Sequence, residues 1–95
     1  MTGASVNAWD RVTVVIVVHN SSAVIGACLD AFGSDKRIIL IDNASHDHTL
    51  DIVREKTPHA QIIHNPIGVG YGNAASQGLA MVETEFALMM NPDAV

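Results

Sequence analysis

Two periods of apolar residues alternate along the chain. Val12 to Val18 is nearly continuously apolar and β-branched, which predicts a central strand covered on both faces. It breaks at His19-Asn20-Ser21-Ser22. Ile25, Cys28, Leu29 and Phe32 then recur at helical spacing and predict a helix through about Phe32, closed by Gly33-Ser34-Asp35. Ile38 to Ile41 predicts a second, buried strand that stops at Asp42-Asn43. Ser45 reads as the N-cap, and Asp47 as the first-turn acid, of a helix from about His46 to Lys56 with Leu50 and Val53 inward. Thr57-Pro58 stops it. A third strand is predicted over Ala60 to His64, closed by Asn65-Pro66. A glycine-rich stretch, Gly68-Val69-Gly70-Tyr71-Gly72, leads into a helix from about Asn73 to Val82, with Ala75, Leu79 and Val82 on one face. Glu85 to Met90 predicts the fourth strand, ending in Asn91-Pro92-Asp93.

The resulting βαβαβαβ order predicts parallel strands joined by right-handed crossovers, a three-layer α/β/α fold of the Rossmann-like kind. Residues 1–10 are expected to form a flexible arm, with Trp9 packing back on the domain over 11–95. In such sheets ligands meet the carboxyl ends of the strands. His19-Asn20, Asp42-Asn43, the loop after His64 and Asn91-Pro92-Asp93 therefore share one functional edge. Asp42 and Asp93 converge there from distant positions. Hard oxygen donors of this type suit Mg2+ or Mn2+, which can hold a diphosphate for an acidic protein. Asp42 as an acceptor from a base or ribose is the other reading, and strand termination with helix capping the plain one.

Composition narrows the classes. Ninety-five residues allow one small domain. A 48% hydrophobic fraction is high for that size, so some apolar surface is expected to meet a partner or a missing part of the fold. Ten acidic against five basic residues, a net charge of -5, argue against nucleic acid as a partner. Cys28 is the only cysteine, which excludes an intrachain disulfide, and its place on an apolar stripe predicts an inert buried thiol. No apolar run reaches the roughly 20 residues of a membrane helix, and the first ten residues lack the pattern of a signal peptide. A cytoplasmic location is the expectation.

Two other patterns compete with the sheet-edge reading. Gly70-x-Gly72-x-x-Ala75 matches the dinucleotide fingerprint of an oxidoreductase, with Asp93 about 20 residues on. That fingerprint follows its strand directly, whereas Asn65 to Val69 intervenes here. His46 and His48 bracket Asp47, but residues two apart on a helix do not share a face, so both are read as solvated, as are His59 and His64.

Four ordered motifs carry a resemblance over about Val12 to Val95: Val-Val-Ile-Val-Val-His-Asn, Ile-Asp-Asn-Ala-Ser-His-Asp-His-Thr, Gly-Tyr-Gly-Asn-Ala-Ala-Ser-Gln-Gly and Met-Asn-Pro-Asp-Ala. In this order the chain resembles the amino-terminal half of family 2 glycosyltransferases of the GT-A fold, particularly rhamnosyltransferase-like members. The resemblance implies a strand order of 3-2-1-4 and a UDP-, dTDP- or GDP-sugar donor, bound with a divalent metal for transfer to an acceptor hydroxyl. Carried over by position, Val17, His19, Asn20, Asp42, Asn43, Gly70, Tyr71 and Gly72 are the expected nucleotide-binding residues. Asp93 is the expected metal ligand, with Asn91 nearby where the family's first acid often stands. Ser76 replaces an asparagine common in the glycine loop, and Gly68 stands where another is frequent.

The resemblance implies that the family's acceptor site and catalytic base are not among these residues, so no catalytic residue is assigned. The chain is expected to be a truncated form that binds donor without transferring. A non-catalytic nucleotide-binding remnant and the oxidoreductase domain are the alternatives. With the order 3-2-1-4, the fourth strand is an edge, and residues 86–90 carry no charge or proline to guard it. Self-association through them is expected.

Overall fold

The computed structural model describes residues 8–32 and 35–92. Its strands are β1 (Val12–Val18), β2 (Arg37–Asn43), β3 (Gln61–Asn65) and β4 (Phe86–Met90), and its helices α1 (Ile25–Phe32), α2 (Thr49–Lys56) and α3 (Tyr71–Ala80). The strands form one sheet in the order β3-β2-β1-β4, and every neighbouring pair is parallel. The α/β class and the expected strand order are both present.

Alternation along the strands sorts the core into two layers. Val14, Ile16, Val18, Ile38 and Leu40 join Ile25, Cys28 and Leu29 of α1 and Val53 of α2. Val15, Val17, Ile39 and Ile41 meet Ala74 of α3 on the opposite face. The three-layer arrangement thus follows from continuous apolar runs in β1 and β2, whose residues have core on both sides. Cys28 is buried, and burial pushes its thiol above the ordinary range. Trp9 packs against the first layer from a 3-10 turn over Ala8–Arg11, edge-on to Phe32 at 6.0 Å between ring centroids.

The helices start and bury differently from the sequence pattern. The α2 helix begins at Thr49 with His48 as N-cap, because Ser45 and Asp47 are engaged with the β1–α1 connection. Its Asp51 in the first turn and Arg54 and Lys56 in the last suit the helix dipole. The α3 helix begins at Tyr71, and its buried residues are Ala74 and Gly78. Leu79, expected inward, is 45% exposed. A β-carbon on Gly78 would lie 2.5 Å from Ile41 Cδ1 and 2.6 Å from Val15 Cγ1, so the helix sits too close to the sheet for any larger side chain on that line.

Candidate functional site

The strand order reverses at β1: the chain builds outward through β2 and β3, then returns to place β4 on the other side of β1. Such a switch point opens a crevice at the carboxyl edge of an α/β sheet. A hollow of about 380 Å3 lies there, lined by Val17, His19, Asn20, Ser21, Ala23, Val24 and Pro92. Val17 and His19 come from the end of β1, and Pro92 from the segment leaving β4. A second hollow, about 330 Å3, opens at the amino ends of the strands around Thr13, Arg37, Gln61 and Thr84. It lies on the edge opposite the expected site residues.

The β1–α1 and β2–α2 connections are latched together beside the first hollow. The Asn20 amide N–H donates to Ser45 Oγ at 2.9 Å, and the His46 amide returns a bond to Asn20 Oδ1 at 2.7 Å. The Ser21 amide donates to the buried Thr49 Oγ1 at 2.8 Å. Asp47 accepts from the Ser22 amide at 3.1 Å and from the Thr49 amide at 3.0 Å, and also from the Thr49 hydroxyl. Asn20 and Ala44 have left-handed backbone, φ 49° and 62°. Asparagine tolerates that region, whereas for Ala44 it is a strained position held by its surroundings. Ser45 and Asp47, expected to serve only their own helix, also tie the two loops into one rim.

Hydrogen bonds from the Thr49 and Ser22 groups hold the Asp47 carboxyl below the ordinary carboxylate range. A carboxylate depressed on folding stabilises the fold above its unfolded value of about 3.9, and that contribution is lost as pH falls through the folded value. Asp47→Asn is therefore expected to lower stability at neutral pH, with the deficit against wild type shrinking progressively below about pH 4. Urea unfolding from pH 7 down to pH 2.5 checks this; a pH-independent deficit contradicts it.

Of the expected nucleotide-binding residues, Val17, His19 and Asn20 line the hollow. The His19 imidazole Nδ1 lies 2.7 Å from the Asn43 carbonyl. Asn43 Oδ1 accepts from the Val69 amide at 3.0 Å, tying the glycine loop to β2. Gly70, with φ 85°, is the N-cap of α3, and Tyr71 and Gly72 form its exposed first turn. Asp42 is placed differently from a residue at an open strand end. The β2 strand continues through Asn43 and turns at Ala44, so Asp42 lies between Val18 of β1 and His64 of β3 and is 0% exposed. Its carboxylate accepts from the Ser45 amide at 3.3 Å and sits 2.7 Å from His64 Nδ1.

His64 is the residue that the sequence reading missed. Its signal was positional: it precedes the last residue of β3 as Asp42 precedes the last of β2, which aligns them across a parallel pair. The reciprocal amide pair of Asn65 and Gln77, at 2.7 and 3.1 Å, likewise fastens the end of β3 to α3. Asn91 is exposed, and Asp93 lies outside the described residues. Among the described residues no three His, Cys, Asp or Glu side chains gather into a metal set, and His46 and His48 are exposed. No described helix is long and apolar enough to cross a membrane.

The family model for glycosyl transferase family 2 matches residues 13–95. A PGL/p-HBAD biosynthesis glycosyltransferase of Mycobacterium bovis BCG is 30% identical over 88 residues, covering 85% of this chain and 34% of that protein. One of the same name from Mycobacterium tuberculosis has the same identity and coverage. The chain thus spans about a third of the length of these curated relatives. The match runs from the first strand to the last residue of the sequence, through both latched loops and the glycine loop, and the chain belongs to glycosyl transferase family 2.

Proposed function

We propose that the chain is the donor-binding part of a metal-dependent, inverting glycosyltransferase, taking a nucleotide-diphosphate sugar for transfer to an acceptor hydroxyl. The observation that carries this reading is the switch-point hollow flanked by Val17, His19, Asn20 and Pro92 in a chain of this family. Nucleotide contacts are assigned to Val17, His19, Asn20, Asn43, Gly70, Tyr71, Gly72 and the Asp42 region. Asn91 and Asp93 offer an amide oxygen and a carboxylate, the hard donors that Mg2+ or Mn2+ prefers, and the donor's phosphates supply further ligands. Bound there, the ion offsets diphosphate charge. The chain's own residues bind and orient the nucleotide; no acceptor site or base is assigned among them. The reading keeps the expected cytoplasmic location. The dinucleotide alternative gains nothing from the five residues separating β3 from α3.

Calorimetric titration of UDP and dTDP, with and without Mn2+, tests the assignment. Binding is expected only with metal, weakening at least about 30-fold in Asp93→Ala, in line with loss of a charged metal ligand. Absence of binding to a demonstrably folded chain would overturn the donor-binding reading.

We also propose that β4 mediates self-association. It is the edge strand next to β1, and Phe86, Ala87 and Leu88 are exposed along it, an unguarded apolar edge. Sedimentation velocity is expected to show concentration-dependent dimer or larger species, reduced in Leu88→Lys; a single monomer peak at high concentration excludes it.

A further inference from the structure

We propose that His64 determines which nucleobase the donor carries, by presenting its outer ring nitrogen as a hydrogen-bond acceptor. This assignment rests on the donor-binding reading above. Asp42, the carboxylate expected to meet the base, is 0% exposed, whereas His64, hydrogen-bonded to it at 2.7 Å through Nδ1, is 48% exposed. A carboxylate accepts only, so its bond places a proton on Nδ1, and in the neutral imidazole Nε2 then carries the lone pair. Nε2 has no hydrogen-bond partner among the described residues. The pair thus exports the acceptor character of a buried carboxylate to an accessible atom. His64 lies two strands from the end of β1, roughly 10 Å at strand spacing. That separation suits a nucleotide whose diphosphate sits at the switch point and whose base lies over β2 and β3.

An acceptor there pairs with the N3–H of uracil or thymine, or the N1–H of guanine. Cytosine N3 and adenine N1 are acceptors themselves, so at that ring position they are disfavoured and only a shifted base could offer its exocyclic amino group.

The test compares Mn2+-dependent affinities of UDP and CDP, which share ribose and diphosphate, in wild type and His64→Asn. The amide keeps a donor toward Asp42 and removes the outer nitrogen. Wild type is expected to prefer UDP roughly 3- to 10-fold, and the variant to bind both within about 2-fold of each other. Long-range 1H–15N spectra of the wild-type ring supply a readout independent of the variant's folding. They should show the Nδ1-protonated tautomer, with Nε2 shifting on UDP and not on CDP. Equal wild-type affinities, a UDP preference that survives in the variant, or a proton on Nε2, whether in the other tautomer or in the imidazolium, each overturn the assignment while leaving donor binding intact. If neither UDP, dTDP nor GDP binds wild type, the donor-binding reading falls and this one with it.

Discussion

Replacing Gly78 with leucine is expected to abolish cooperative folding. The α3 helix is the only described helix on its face of the sheet and rests there on Gly78 and Ala74. A β-carbon alone would meet Ile41 Cδ1 at 2.5 Å and Val15 Cγ1 at 2.6 Å, both below van der Waals contact. The tip of Ile41 can rotate away. Val15, fully buried in the central strand, has a stiff β-branched χ1 and cannot yield without unseating its neighbours. Alanine at this position costs about 1–3 kcal/mol of overpacking, offset by about 1 kcal/mol of helix propensity. Leucine adds three further carbons in the same gap, and the helix must lift from the sheet. A domain of this size has roughly 5–14 kcal/mol in hand, and losing α3 exposes the whole second core layer. Urea unfolding followed by circular dichroism should show a lowered midpoint for Gly78→Ala and no cooperative transition for Gly78→Leu. A leucine variant that unfolds at the wild-type midpoint contradicts this account of the packing.

The second large effect is expected on the opposite face. Ile16→Ala should destabilise the fold by about 2–5 kcal/mol, the usual range for emptying a closed core site. Ile16 is 0% exposed in β1, which has strands on both sides, and it belongs to the layer shared with Ile25, Leu29 and Val53. None of these can collapse into the gap without moving a strand or helix. With a urea dependence near 1–3 kcal/mol per molar, the midpoint should fall by about 0.7–5 M while the slope stays unchanged. A loss below about 1 kcal/mol would mean that the cluster repacks freely. Phe86→Ala, on the exposed edge strand, is the control and should change stability little.

The two predictions also mark what was legible in the chain. Val12 to Val18 and Ile38 to Ile41 announced buried strands because a continuous β-branched run has no other economical arrangement, and strand, helix and turn signals alternated at lengths suited only to parallel crossovers. The boundaries of α2 and α3 were less visible. Ser45 and Asp47 are good N-cap residues, yet Ser45 bonds Asn20, and Asp47 bonds Ser22 as well as Thr49 of its own helix; Asn20 and Ser22 lie some 25 residues away, and local capping rules cannot register a competing loop. Leu79 looked like a core residue by spacing; Gly78 took the inward position because the helix approaches closer than leucine allows.

By itself, the sequence determined the fold class, the element order, the family and the carboxyl edge to which the proposed site is assigned, because these depend on local periodicity and on motifs contiguous in the chain. Tertiary structure alone decided that Asp42 is sealed behind His64, that the two connecting loops form one latched rim, and that the hollow opens between β1 and the exit of β4. Those features are hydrogen bonds and contacts between strands distant in sequence. Their geometry exists only once the sheet has set its register.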